Sequence, residues 1–139
     1  MILESAQIVC AVANTLGIET PYKTTHYNHP CTKWARASHS NMVWLLELLG
    51  ALNAEWQYRY GHTRNHKSYD VVDSINIDSL CMQLPQQELT PFALAMPDYI
   101  SSRNTDAIDA YRDYYVSEKA NILAYTKREQ PHWITKESK

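Results

Sequence analysis

NMVWLLELLGALNAEWQYRY, residues 41–60, brings a large apolar side chain back every three to four positions over about five turns. That period places such residues on one side of an α-helix and would scatter them in a strand. The expected buried stripe is Trp44, Leu45, Leu48, Leu49, Leu52 and Trp56. Ser40 stands where an N-cap belongs, and Gly61 is a natural stop. Glu55 and Arg59, four apart with the acid first, read as an ion pair on the helix flank.

Upstream, Met1 to Leu16 reads as a second helix stopped by Gly17, with Met1, Ser5, Ile8, Val9, Val12 and Leu16 on one face and Glu4, Gln7 and Asn14 on another. It starts with apolar residues and no capping side chain, which resembles the interior of an element. Residues 20–30, TPYKTTHYNHP, form a loop, and Asn28 with Pro30 opens a short helix carrying Cys31, Trp34 and Ala35. Downstream, the cationic loop HTRNHKSY (62–69) leads to a short helical candidate around Val71 to Ile75. Three prolines make 76–100 read as irregular chain. Asn104 or Thr105 opens a last helix with Ile108, Tyr111, Tyr115, Ile122 and Leu123 approximating its inner face, before a basic tail broken by Pro131. The expectation is an all-α, mainly helical single domain over 1–139, with four to five helices and a long irregular segment around 76–100.

A chain of 139 residues can bury a core without a disulfide or a metal. Cys10, Cys31 and Cys81, odd in number and widely spaced, give no disulfide framework and fit a reducing compartment. No run reaches the roughly 18 apolar residues of a membrane span, and no signal-peptide pattern opens the chain. A cytoplasmic location without membrane partners is expected. Net charge is −2 but uneven: residues 1–67 hold six Lys/Arg, four Asp/Glu and five of the six His; residues 68–126 hold three against nine; residues 127–139 hold four against two. That is far from the basic footprint of a protein gripping a long duplex. A small anionic ligand or a short nucleic-acid contact suits it better.

Ten Tyr and four Trp stand against one Phe, so the large aromatics carry polar handles, a usage that suits a core opening onto a polar cleft. Trp34, Arg36, Asn41 and Trp44 combine flat faces with a guanidinium and an amide, the groups that stack on bases and bond their edges. The plainer reading keeps the two tryptophans in the core. His26 and His29 beside Cys31 lack the second ligand pair of a metal site, so no metal or other cofactor is expected; hydrogen bonding, or capping at Pro30, is their alternative. Arg59 and His62, with Arg64, His66 and Lys67, read either as a phosphate-facing loop or as cations complementing a helix C-terminus. Arg112 and Lys119 on one helical face, and Lys127 and Arg128 near Trp133, are further candidate anion contacts or solvated surface. No Gly-rich phosphate loop or nucleophile-elbow serine is present.

Several blocks, MILESAQIVCAVA (1–13), YKTTHYNHPCTKWARASHSNMVWLLELL (22–49), EWQYRYGHTRNHK (55–67), TPFALAMP (90–97), AYRDYYVSEK (110–119) and TKREQPHW (126–133), resemble an uncharacterised family of small tailed-bacteriophage proteins. A more distant similarity is to the pyrimidine-dimer DNA glycosylases of the phage endonuclease V type. It rests on Glu4 leading into Ile8-Val9-x-Ala11-Val12, on Pro30 before Leu46-Glu47-Leu48-Leu49, and on Gln130-Pro131-His132-Trp133. That resemblance implies a compact helical fold and a catalytic role for Glu4 in stabilising a cationic sugar intermediate and moving protons. It also implies that this chain begins partway along the family's N-terminal segment, without the residue whose amine is the nucleophile.

The resulting expectation is a phage accessory protein in the infected cell's cytoplasm that recognises a nucleobase in DNA, with base excision as its enzymatic form. The alternatives are a non-catalytic protein that sequesters a small nucleotide such as a host immune signal, and a protein-binding inhibitor of a host factor. A homo-oligomer is open in each.

Overall fold

The computed structural model describes residues 1–119 and 125–134. Their regular structure is helical: α1 (Ile2–Thr15), α2 (Pro30–Ala37), α3 (His39–Tyr60), α4 (Lys67–Asp73), α5 (Ile77–Met82), α6 (Asp98–Ser101) and α7 (Ala107–Glu118), with no strand among the described residues. The chain divides into two compact units, Met1–Thr90 and Pro91–Lys139. No helix of the described residues is long and apolar enough to cross a membrane.

The seven helices exceed the expected four to five, because the segment 76–100 is less irregular than its prolines suggest. Asn76 accepts from the Ser79 N–H and starts α5, and Pro97 precedes the single turn of α6. Only 83–97 is left without helix. The candidate around Val71 to Ile75 starts earlier, at Lys67, because His66 caps it.

In the first unit α1 packs against α2, α3 and α4, and α3 also meets α5. The core joins Val9, Val12 and Ala13 of α1 to Ala35, Met42, Leu45, Leu49, Val72, Leu80 and Leu84. Met42, Leu49 and Leu80 are fully enclosed, each burial stabilising by about 1.5–3 kcal/mol. Glu4 stands outside this packing, on the exposed side of α1.

The long helix forms as its apolar period predicts, and Gly61 ends it in the left-handed conformation (φ 65°) with its N–H bonded to the Gln57 carbonyl. Two details differ. The cap is Ser38, whose extended backbone lets its hydroxyl accept from the Asn41 N–H at 3.0 Å, so the helix starts earlier than Ser40 implied. The buried stripe is Asn41, Met42, Leu45, Leu49 and Asn53, rotated from the expected one, which leaves Trp44 at the surface.

That rotation exposes a device repeated through the first unit, in which helical asparagines hold loops. Asn14 donates to the Tyr22 carbonyl and the Thr24 hydroxyl and accepts from Thr20. Asn41, wholly buried, donates to the Trp34 carbonyl (2.7 Å) and the Thr90 hydroxyl (2.8 Å) and accepts from the Thr90 N–H (2.9 Å). Asn53 donates to Asn65 and accepts from the His66 N–H. Buried amides of this kind satisfy backbone groups that would otherwise be orphaned away from water.

The second unit is built around α6 and α7, with Ile100 and Ala110 fully buried. Asp106, rather than Asn104 or Thr105, caps α7. Ile108, expected inside, is 56% exposed, and Ala110 takes the inner position. The expected core positions Ile122 and Leu123 lie outside the described residues. Polar bonds dominate: Asp113 accepts from Arg103 twice at 2.6 Å, from Asn104 at 2.9 Å and from Ser117 at 2.8 Å. This ring of donors holds the Asp113 carboxyl far below the usual carboxylate range, with Arg103 the largest cause.

Candidate functional site

The densest grouping of aromatic and cationic side chains sits where α3 ends. Trp56, on the last turns of α3, is half-buried, and the chain reverses at Gly61 so that residues 62–66 fold back over it. His62 stacks on the indole with ring centroids 4.1 Å apart and planes 23° from parallel. His66 meets the same ring edge-on at 5.0 Å, and the exposed Arg64 guanidinium stands 5.0 Å from its centroid. A cation within about 6 Å of an indole face is attracted by the ring quadrupole.

The loop owes its shape to side chains of α3. Asn53 accepts from the His66 N–H at 2.8 Å, and Gln57 donates to the Arg64 carbonyl at 3.0 Å and to Asn65 at 3.3 Å. Asn65 in turn donates to Asp70 on α4 at 3.0 Å. Arg59 bonds Glu55 at 2.9 Å, as their spacing predicted, so part of its charge is balanced locally. The arrangement offers a flat apolar surface, two imidazoles and a guanidinium at one helix end. Trp56 was legible only as part of an apolar stripe; the signal that could have separated it is the run Gly61-His62-x-Arg64-x-His66 placed one turn later.

The other expected tryptophan group lies toward the opposite end of α3. Trp44 precedes Trp56 by twelve residues, about 18 Å along the axis at 1.5 Å per residue. It meets Trp34 edge-to-face at 5.7 Å and borders a shallow groove of about 210 Å³ with His39, Ser40, Val43, Glu47 and Leu89. The Trp34 indole N–H donates to the Thr90 carbonyl. Asn41 offers no edge to a ligand, because both sides of its amide are committed to Trp34 and Thr90 and it is fully enclosed. Its role is to anchor Thr90. Arg36 lies 3.9 Å over the Tyr27 ring and donates to the Tyr27 carbonyl, which fastens the loop before α2. His26 adopts a left-handed backbone (φ 51°) and faces His29 edge-on at 6.5 Å. The His29 ring caps α2 in place of the expected Asn28.

Glu4 is on the first turn of α1, its side chain 70% exposed and 2.8 Å from the Met1 amino group. The hydrogen bond from that amine, followed by one from a backbone N–H, holds its carboxyl below the ordinary range. It is therefore a charged acceptor at neutral pH rather than a proton donor. In the second unit Arg112 lies 5.3 Å over the Trp133 ring and Lys119, the C-cap of α7, 5.3 Å over Tyr114. Lys127 takes a left-handed backbone (φ 60°) in the turn that the Arg128 N–H closes on Tyr125. Burial pushes the Cys10 and Cys81 thiols up, which keeps both protonated and unreactive. Among the described residues no three His, Cys, Asp or Glu side chains come together as a metal site.

No protein-family model, curated protein or solved structure matches this chain.

Proposed function

We propose that the protein recognises a nucleobase, with Trp56 as the stacking platform, uncovered when the His62 ring moves aside, and Arg64 and His66 as the groups that meet the attached phosphate or the base edge. The observation that carries the reading is the indole of Trp56 ringed by two imidazoles and a guanidinium on a loop fixed from beneath. Base–aromatic stacking contributes about 1–3 kcal/mol per base and tolerates any base. The single platform and the absence of a strong overall basic charge favour one nucleotide, free or at an unpaired position in DNA, over a long duplex. In this reading the chain is a phage accessory protein acting in the cytoplasm of the infected cell, and holding a small nucleotide away from a host receptor is its simplest task.

Base excision is the second reading, in which the ionised Glu4 carboxylate, released from its pairing with the Met1 amine, stabilises a cationic sugar intermediate. Glu4→Gln keeps the shape and removes the charge. Unchanged excision of a damaged base by that variant would remove Glu4 from the chemistry.

The primary reading is tested by native mass spectrometry of freshly purified protein and by titrating its tryptophan fluorescence with mononucleotides and short single-stranded DNA. A retained nucleotide mass, or quenching that Trp56→Ala reduces about 10- to 100-fold in affinity, is the expected result. No retained mass and no quenching by any of these ligands refutes it.

A further inference from the structure

Two helices of the first unit begin on a histidine. His29 (φ −62°, ψ 141°) and His66 (φ −61°, ψ 140°) share an extended backbone, and each ring turns back so that its Nδ1 accepts from the N–H two residues on. The distances are 3.1 Å to Cys31 and 3.0 Å to Ser68. N-caps are usually Ser, Thr, Asp or Asn, whose side-chain oxygen accepts throughout the neutral and mildly acidic range. An imidazole accepts only through an unprotonated nitrogen, so both caps require a neutral ring with its proton on Nε2. A second proton on Nδ1 removes the acceptor and also places a positive ring at the positive end of the helix dipole. The two effects have the same sign.

Among the described residues neither imidazole is in a salt bridge with a carboxylate. Around His29 stand His26, the Tyr27–Arg36 stack and Lys33. From α1, against which both helices pack, the one acid is Glu4, exposed and already paired with the Met1 amine, and α1 also carries the buried Cys10 thiol; α3, which also meets α2, carries His39 and Glu47. Around His66, α3 brings Trp56 and the Glu55–Arg59 pair, and the loop brings His62 and Arg64. On its own helix, Lys67 follows and Asp70 is bonded to Asn65. The Tyr22 hydroxyl reaches Ser68 at 3.0 Å.

We propose that the first unit is acid-sensing: proton uptake at His29 and His66 undoes the caps of α2 and α4 together and loosens both helices from α1. The inference concerns the fold and stands whether or not the Trp56 cluster binds a base.

The test compares the full chain with the double variant His29→Asn, His66→Asn, in which an amide oxygen caps without titrating. Between about pH 8 and 5.5, the unfolding equilibrium constant of the parent is expected to rise about five-fold per cap and about twenty-five-fold for both. Amide exchange at Cys31 and Ser68, corrected for its intrinsic pH dependence, is expected to rise with it. The double variant loses most of that rise. Equal pH profiles for the two proteins overturn the proposal. Nitrogen chemical shifts of the parent's imidazoles give a reading that needs no variant: at about pH 8 both rings should carry their proton on Nε2, and a proton on Nδ1 of both refutes the inference outright.

Discussion

His62 lies flat on one face of Trp56, with ring centroids 4.1 Å apart, so the imidazole holds a position that a stacked base would need. A base using that face must displace it and forgo an aromatic pair contributing about 0.5–1.5 kcal/mol. His62→Ala is therefore expected to tighten nucleotide binding about 2- to 10-fold, read by quenching of tryptophan fluorescence. Weaker binding would instead make His62 a ligand contact.

The two arginines near this cluster differ in what they have left to offer. Arg59 is bonded to Glu55, whereas Arg64 is exposed over the Trp56 ring. Arg64→Ala is expected to lower the slope of log affinity against log salt by about one for a phosphate-bearing ligand. Arg59→Ala should leave it nearly unchanged. Salt titrations of the two variants check the pair, and an equal loss in both would contradict it.

Asn41 bears on stability instead. Its removal leaves the part-buried Thr90 N–H and Trp34 carbonyl without their partner, so Asn41→Ala is expected to destabilise the first unit by about 1–3 kcal/mol. Urea unfolding followed by circular dichroism measures it. A loss below about 0.5 kcal/mol would mean that water replaces the amide easily.

Asn41 also shows what could be read in the sequence. The helix of residues 39–60 was legible because its apolar period and Gly61 agree. Its angle about its own axis was not, since Met42, Val43, Trp44, Leu45, Leu46, Leu48 and Leu49 surround it with apolar side chains and no single face stands out. Two polar residues, Asn41 and Asn53, settle the angle by bonding loops distant in sequence, information that no local window contains. The cationic loop after Gly61 was visible, as was the Glu55–Arg59 pair. That Trp56 belongs with the loop rather than with Trp44 follows from the backbone reversal. Capping at Pro30 was among the readings of His26 and His29, and His29 fills that role; the cap at His66 escaped notice because Asn, Ser and Asp are the usual signals. The extra helices α5 and α6 were hidden by Pro85, Pro91 and Pro97, which flank those helices without breaking them.

The two units should respond to acid at different points. Arg103, Asn104 and Ser117 lower the folded-state value of Asp113. A lowered value means that its contribution is complete above the ordinary carboxylate range and is lost only as pH falls through the folded-state value. At about pH 5, above the unperturbed aspartate value, amides of 107–118 should still be protected while those at the starts of α2 and α4 exchange faster. Asp113→Asn is expected to weaken the second unit and flatten its dependence on pH below about 4. Simultaneous loss of protection in both units on acidification would contradict this.

The amides of Asn53, Gln57 and Asn65 that hold residues 62–66 also bear on how quickly a ligand can be captured. A loop tied at three points, two of them on its backbone, has little ordering left to do when a partner arrives. Encounter should then be governed by diffusion and by the pull of the local positive field, giving single-phase association whose rate falls as salt is added. Differences among ligands would appear in how long each one stays.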